Sequence, residues 1–482
     1  MLLRKPGSKR GSPRESDALN RKNTRDEMMK TAIERSLMES QYSGNNAEST
    51  DKVQQKKSGS RAVVAATVGC MLEWYDFAVY GYFAVVIAKV FFPVQSEALS
   101  MLLTVATFGV GFAMRPIGAL VFGTMADRKG RRVALSWTVA TMVLGTAIIT
   151  LTPAYTSIGM VAPVLVVIAR LIQGFSAGGE MGSALSYLSE YAPENRKALY
   201  ASFQQLTQVL ALLCGSLMGA IVNMALNPTQ VEAWGWRMPF LLGLLIGPVG
   251  WYIRQKTEEP PAFAASLARR NEAARKGQVQ SAPSPWLAIR RFPRETLAGF
   301  CITILWTVCT YYFLVFMPTY AIKQLHLPAS VALLSNSAGL LIAALAIPCF
   351  AALSDRVGPR MLLCFSALAI LLCSYPALLV LTHYKTAASL IAIQGGFAIL
   401  IAAFTGPAGG ALAELFPEDI RSTGISISYN FAVTLFGGFA PFIATWLITS
   451  TGNVLAPSYY VAFAALLAIL GVALLRRYPS SL

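Results

Sequence analysis

A chain of 482 residues that is 55% hydrophobic and only 13% charged, with a mean hydropathy of +0.52, is not a soluble globular protein, in which about a quarter of the residues carry charge. Its net charge of +16 would suit a nucleic-acid partner. However, the 40 Lys and Arg gather in an N-terminal tail, a central loop and short turns on one side of the apolar runs, the asymmetry of a membrane protein with basic turns facing the cytoplasm. Nucleic acid is therefore not an expected partner, and the bilayer is.

Residues 1–61 are polar and read as a disordered cytoplasmic tail. MMKTAIERSLMESQ, from Met28, has the makings of a short surface helix, and a start codon assigned too early accounts for the tail equally well. Twelve apolar runs follow, at 62–86, 98–123, 133–152, 160–189, 198–225, 237–254, 295–320, 330–353, 360–381, 387–414, 422–449 and 457–476. Most are long enough to cross a hydrocarbon core about 30 Å thick. The fold class expected is an all-α membrane protein of twelve transmembrane helices in two six-helix pseudo-repeats. An N-terminal half at 62–254 is joined by a cytoplasmic linker at 255–294 to a C-terminal half at 295–477. Residues 478–482 form a cytoplasmic end, and both termini face the same side. The seven cysteines fall in apolar runs without metal-ligand spacing, and His326 and His383 fall in loops expected to face outward. No cofactor or metal is expected. An enzyme would need a nucleophile–base set that two loop histidines do not supply.

In the first run Glu73 and Asp76 stand three apart and so share one helix face. Ionised carboxylates in hydrocarbon are costly, and such residues face the interior and mark pathways. The pair can carry a proton, or it can pair with Arg to fix helix packing. Arg115 lies deep in the second run with no acid nearby in sequence, about two turns before Gly123. It calls for an ion pair with the first helix or with the turn that follows, and less for direct contact with a substrate.

That turn, Gly123 to Leu135, holds Asp127, Arg128, Lys129, Arg131 and Arg132. Gly123 would let two helix ends approach closely, and Asp127 would accept from the N-terminus of a neighbouring helix. A copy with Asp355 and Arg356 lies 228 positions on, where Pro359 replaces a basic residue. Topogenic charge explains the Arg and Lys alone. An Asp and a Gly that recur in each half point instead to a cytoplasmic gate, weaker in its second copy.

The fourth run carries Arg170, Gln173 and Glu180. Arg170 can grip a substrate carboxylate, balance Glu73 or Asp76, or serve a structural ion pair. Gly174, Gly178 and Gly182 form small-x-x-x-small steps, so this helix should pack tightly. Glu190 and Arg196 end that run, and Glu414 and Arg421 end the tenth in the same manner 224 positions on. With Arg115 and Glu180 they form a candidate charge network. Polar side chains that would line a cavity include Gln204, Gln205, Gln208, Tyr311, Tyr312, Asn336 and Asn430, although each alone serves equally well as a helix–helix hydrogen bond.

The turn at Gly123 resembles the signature of the major facilitator superfamily. More narrowly, GCMLEWYDFAVYGYFA, FAMRPIGALVFG and RLIQGFSAGGEMGSALSYLSE resemble the metabolite:proton symporter family, from about Arg61 to Arg477. The resemblance implies alternating-access uptake of a small organic substrate with protons, a functional monomer and a bacterial inner membrane. It implies proton coupling for Arg170, and coupling or gating for Glu73 and Asp76, because members with different substrates share that stretch. Gly215 and Gly219 resemble part of an antiporter motif, but Ser216 stands where its proline is expected, which favours symport. VIAKVFFPVQSE, APVLVVIARLIQGFSAG and ALAELFPEDIRSTG look most like the citrate-transporting members. A tri- or dicarboxylate such as citrate is the substrate expected, with Arg170, Gln173, Gln205, Tyr311, Asn336 and Asn430 as its contacts. The alternatives are 2-oxoglutarate, shikimate, phthalate, or a zwitterion such as proline or betaine held by aromatic rings.

Overall fold

The computed structural model describes residues 70–71, 73–129, 131–178, 180–190, 192–255, 289–417 and 420–475. The tail at 1–61, most of the linker and the chain end at 478–482 lie outside the described residues. Those described are helical, with no strand among them. This is the arrangement apolar runs must adopt where no water is present to satisfy backbone groups.

The helices run α1 (Glu73–Tyr82) and α2 (Ala84–Phe91), then α3 (Glu97–Ala113), α4 (Arg115–Lys129), α5 (Arg131–Leu151), α6 (Val161–Ala177), α7 (Glu180–Glu190), α8 (Lys197–Ala225) and α9 (Arg237–Gln255). After the linker come α10 (Pro293–Gln324), α11 (Ala329–Val357), α12 (Pro359–Tyr384) and α13 (Ala387–Leu415). The last two are α14 (Arg421–Thr451) and α15 (Pro457–Leu474). Each of the twelve expected runs is helical along its described part. Eight helices among the described residues are long and apolar enough to cross a membrane, or nine when the pair α1 and α2, bent by 70°, counts as one. The first run does not stop at 86: it bends at Phe83 and continues to Phe91. His383 lies in the last turn of α12 rather than in a loop.

Apolar side chains such as Leu245, Leu345, Phe365 and Leu372 point outward, as a lipid-facing surface requires. Ser96 caps α3 by accepting from the Leu99 N–H. Gly358, which ends α11 in the second charged turn, has φ +86° and ψ 147°, a region essentially reserved for glycine. Within α10 and α14 the winding loosens to π-helix at Thr310–Phe316 and Val433–Gly437, a local expansion that gathers at functional sites.

Two glycines set the core of the N-terminal half. A Cβ on Gly174 would lie 1.5 Å from the Gly111 oxygen, and one on Gly178 would lie 2.0 Å from the Arg115 oxygen. The backbone of α6 therefore touches that of α3 and α4, the close approach small residues allow. Gly182 turns elsewhere and meets Ser422 and Ser426 of α14, in the other half. The halves join where α8 packs on α11 and α13, and where α3 and α7 pack on α14.

Candidate functional site

Close contact between α6 and α3/α4 buries two arginines. Arg115 and Arg170 are 1% and 0% exposed, and a buried charge needs partners. Arg115 Nη1 lies 3.6 Å from Glu73 Oε1, Nη2 donates to the Ala177 carbonyl at 3.1 Å, and the guanidinium sits 5.6 Å from the rings of Trp74 and of Phe112. Of the two partners expected for Arg115, the structure shows the first helix.

Arg170 is enclosed by rings, with Phe77 at 4.4 Å, Tyr80 at 4.6 Å and Phe108 at 5.2 Å. It reaches Asp76 through two side chains rather than directly. Arg170 Nη1 donates to Gln173 Oε1 at 2.8 Å, Gln173 Nε2 donates to Thr146 Oγ1 at 3.0 Å, and Thr146 donates to Asp76 Oδ2. The same hydroxyl is also 3.0 Å from the Met142 carbonyl. It has one proton to give and two acceptors to choose from. Glu73 and Asp76 thus share a helix face but answer to different arginines. Thr146 was not legible beforehand, because a threonine in an apolar helix normally bonds its own backbone.

Tyr311, in the π-segment of α10, reaches across to the first half. Its ring lies 5.1 Å from Phe112 and 5.9 Å from Trp74, and its hydroxyl is buried without a hydrogen-bond partner. Gln205 Oε1 accepts from Trp306 Nε1 at 2.9 Å, which leaves Gln205 Nε2 unpartnered. Asn430 donates to the Gly178 carbonyl at 3.3 Å, and its own oxygen is open. Asn336 differs from these. It donates to Ser216 Oγ and to the Leu314 carbonyl, and accepts from Gln394, so its polar atoms are engaged with the protein itself.

Polar contacts join the halves at both ends of the bundle. At one end Asp355 accepts from the backbone N–H groups of Ala198 at 2.8 Å and Leu199 at 3.0 Å. The carboxylate of the second charged turn therefore caps α8 of the other half. Lys197 and Glu414 stand 4.0 Å apart beside it. At the opposite end Lys323 pairs with Glu97. The side chains of Asp127, Arg128, Arg131, Arg132, Glu180 and Glu190 lie outside what the structure describes. Arg196 and Arg356 are exposed, and Arg421 Nε is buried with no partner. A Cβ on Gly123 would meet no described atom within 4 Å, whereas Gly174 and Gly178 make close backbone approaches. Among the described residues no cluster of His, Cys, Asp and Glu could hold a metal.

The profile of the family described as sugar (and other) transporter matches residues 61–480. The chain belongs to that family, within the major facilitator superfamily. This transporter is 38% identical over 416 residues to a citrate-proton symporter of Klebsiella pneumoniae, covering 86% of this chain and 91% of that protein. It is 33% identical over 437 residues to a candidate proline/betaine transporter of Staphylococcus aureus (strain COL), covering 89% and 91%. Its fold is that of the xylose transporter XylE from E. coli in a partially occluded inward-open conformation, with TM-score 0.69 at 16% identity over 86% of this chain and 97% of that one. The transporter is a multi-pass membrane protein and not an enzyme.

Proposed function

We propose that this transporter is a proton-coupled symporter that takes up a small organic acid, a tri- or dicarboxylate such as citrate, across a bacterial inner membrane. It works by alternating access, as a monomer, with both termini in the cytoplasm. The observation that carries the coupling is the relay from Asp76 through Thr146 and Gln173 to Arg170. When Asp76 is ionised, the Thr146 hydroxyl donates to it. When Asp76 takes a proton it becomes the donor, and Thr146 turns its own proton to the Met142 carbonyl. The bond between Asp76 Oδ2 and Thr146 is kept in both states, which suits a site that loads and unloads a proton inside a bundle, while Asp76 Oδ1 is buried with no partner. The end closed by Asp355 is then the cytoplasmic gate, where Gly123, Asp127, Arg128, Arg131 and Arg132 form the corresponding turn of the first half.

Resemblance to the Klebsiella pneumoniae symporter supports a carboxylate cargo. A second reading, a zwitterionic osmolyte such as proline or glycine betaine, draws on the rings of Trp74, Phe112 and Tyr311 at the seam and on the Staphylococcus aureus relative. Uptake of labelled citrate into proteoliposomes, with and without an inside-alkaline gradient, separates the two. The competitors are unlabelled 2-oxoglutarate, shikimate, phthalate and glycine betaine. Gradient-driven uptake blocked by carboxylates supports the first reading. Betaine uptake with no citrate uptake refutes it.

A further inference from the structure

The two buried arginines differ in what holds them. Arg170 is enclosed by its own half: three rings cover it, and Gln173 ties it to the Asp76 relay. Arg115 lies at the seam. Trp74 and Phe112 flank it, and Tyr311 of α10 packs edge-on against Phe112 and tilted against Trp74 from the other half. Tyr429 of α14 also faces it across the seam. Its contact with Glu73, at 3.6 Å, is looser than the roughly 2.7–2.9 Å of a charge-assisted hydrogen bond. Each arginine has two buried nitrogens with no hydrogen-bond partner, Nε and Nη1 on Arg115 and Nε and Nη2 on Arg170, so it is the place of Arg115 at the seam that separates them. Nearby, the Tyr311 hydroxyl, Gln205 Nε2 and Asn430 Oδ1 are also buried without partners. Native interiors rarely leave several such groups open in one region.

We infer that Arg115, rather than Arg170, is the anchor for a carboxylate group of the cargo, and that Glu73 holds its place when the site is empty. This rests on the proposed symport of an organic acid. Arg115 Nη1, the nitrogen that faces Glu73, meets an oxygen of an entering carboxylate, and Tyr311 and Gln205 supply further donors from two different helices. Glu73 competes for the same guanidinium. A proton on Glu73 withdraws that competitor, so cargo binds more tightly when Glu73 is protonated. The titratable groups that face Arg115 besides Glu73 include Cys70 just before α1, Tyr311 on α10 and Tyr429 on α14. Arg170 also interacts electrostatically with Tyr311. Two tasks assigned to one arginine by sequence are thereby divided, with cargo at Arg115 and the proton relay at Arg170.

The test is equilibrium binding of labelled citrate to the purified full-length protein, without any gradient, in mildly acidic and mildly alkaline buffer. Arg115→Gln is expected to weaken binding by roughly 10- to 100-fold, as loss of hydrogen bonds to a charged group does. Arg170→Gln should bind nearly as wild type while losing gradient-driven accumulation. Glu73→Gln should bind in alkaline buffer as tightly as it does in acidic buffer, measured beside wild type so that titration of citrate itself cancels. If Arg115→Gln does not fold, the neutral double variant Glu73→Gln/Arg115→Gln and the pH profile of Glu73→Gln carry the test. Undiminished binding by the Arg115 variants, or a wild-type pH profile in Glu73→Gln, overturns the inference while leaving symport standing. No binding of citrate or 2-oxoglutarate by wild type overturns the carboxylate cargo, and the inference falls with it.

Discussion

Replacing Asp355 with Ala removes the acceptor for two backbone N–H groups, those of Ala198 and Leu199. These belong to the first turn of α8, where donors have no partner within the helix. Loss of a side-chain cap costs about 1 kcal/mol, and the favourable charge at a helix N-terminus adds about 0.3–1 kcal/mol. The neighbouring pair of Lys197 and Glu414, at 4.0 Å and partly exposed, adds little. Because Asp355 and α8 belong to different halves, this energy is present only while that end is closed. Its loss, about 1–2 kcal/mol in total, should enrich conformers open at that end about 5- to 30-fold. Ala201, 1% exposed and packed on Gly409 of α13, reports the opening. In a cysteine-free background, a thiol reagent should label Ala201→Cys about 5- to 30-fold faster when Asp355 is Ala. Asp355→Asn, which keeps an acceptor and loses the charge, should fall between. An unchanged labelling rate in Asp355→Ala refutes the gate.

Thr146→Val keeps the shape of the side chain and deletes the hydroxyl between Asp76 and Gln173. Gradient-driven uptake should fall about tenfold or more, as when a buried hydrogen-bond partner is lost, while counterflow exchange persists; equal loss of both would contradict the relay. Gly174→Ala places a methyl against the Gly111 carbonyl and should destabilise the purified protein by at least about 1–3 kcal/mol, read as a lower Tm or failure to fold. Gly123→Ala meets no described atom and should leave Tm and uptake nearly unchanged. A large loss there would support the close-approach reading.

Span length and the side of the charges are properties of composition, so the twelve runs and the repeated turn could be read without a fold. The partner of Arg115 could be narrowed to the first helix or the charged turn, because a buried arginine needs an acid and few acids lie within spans, but the sequence did not choose between them. The role of Thr146 was not, since nothing in the sequence says which of many hydroxyls stands opposite Asp76. Phe77, Tyr80 and Phe108 resemble ordinary core until α6 brings Arg170 among them. The bend at Phe83 carries no Pro signal, whereas each of these π-segments is followed by a proline, Pro318 and Pro441, which cannot donate to the carbonyls of Leu314 and Gly437. Asn336 looked like a cavity residue because polarity in a span is ambiguous: its partners Ser216 and Gln394 come from helices remote in sequence.

The most direct measurement of the central claim is citrate-evoked proton entry into proteoliposomes, followed with a trapped pH dye, for wild type and Asp76→Asn. The account expects citrate to acidify the lumen of wild-type vesicles. It expects Asp76→Asn vesicles to exchange labelled citrate without acidification. Citrate movement without proton entry in wild type, or undiminished acidification in Asp76→Asn, would contradict it.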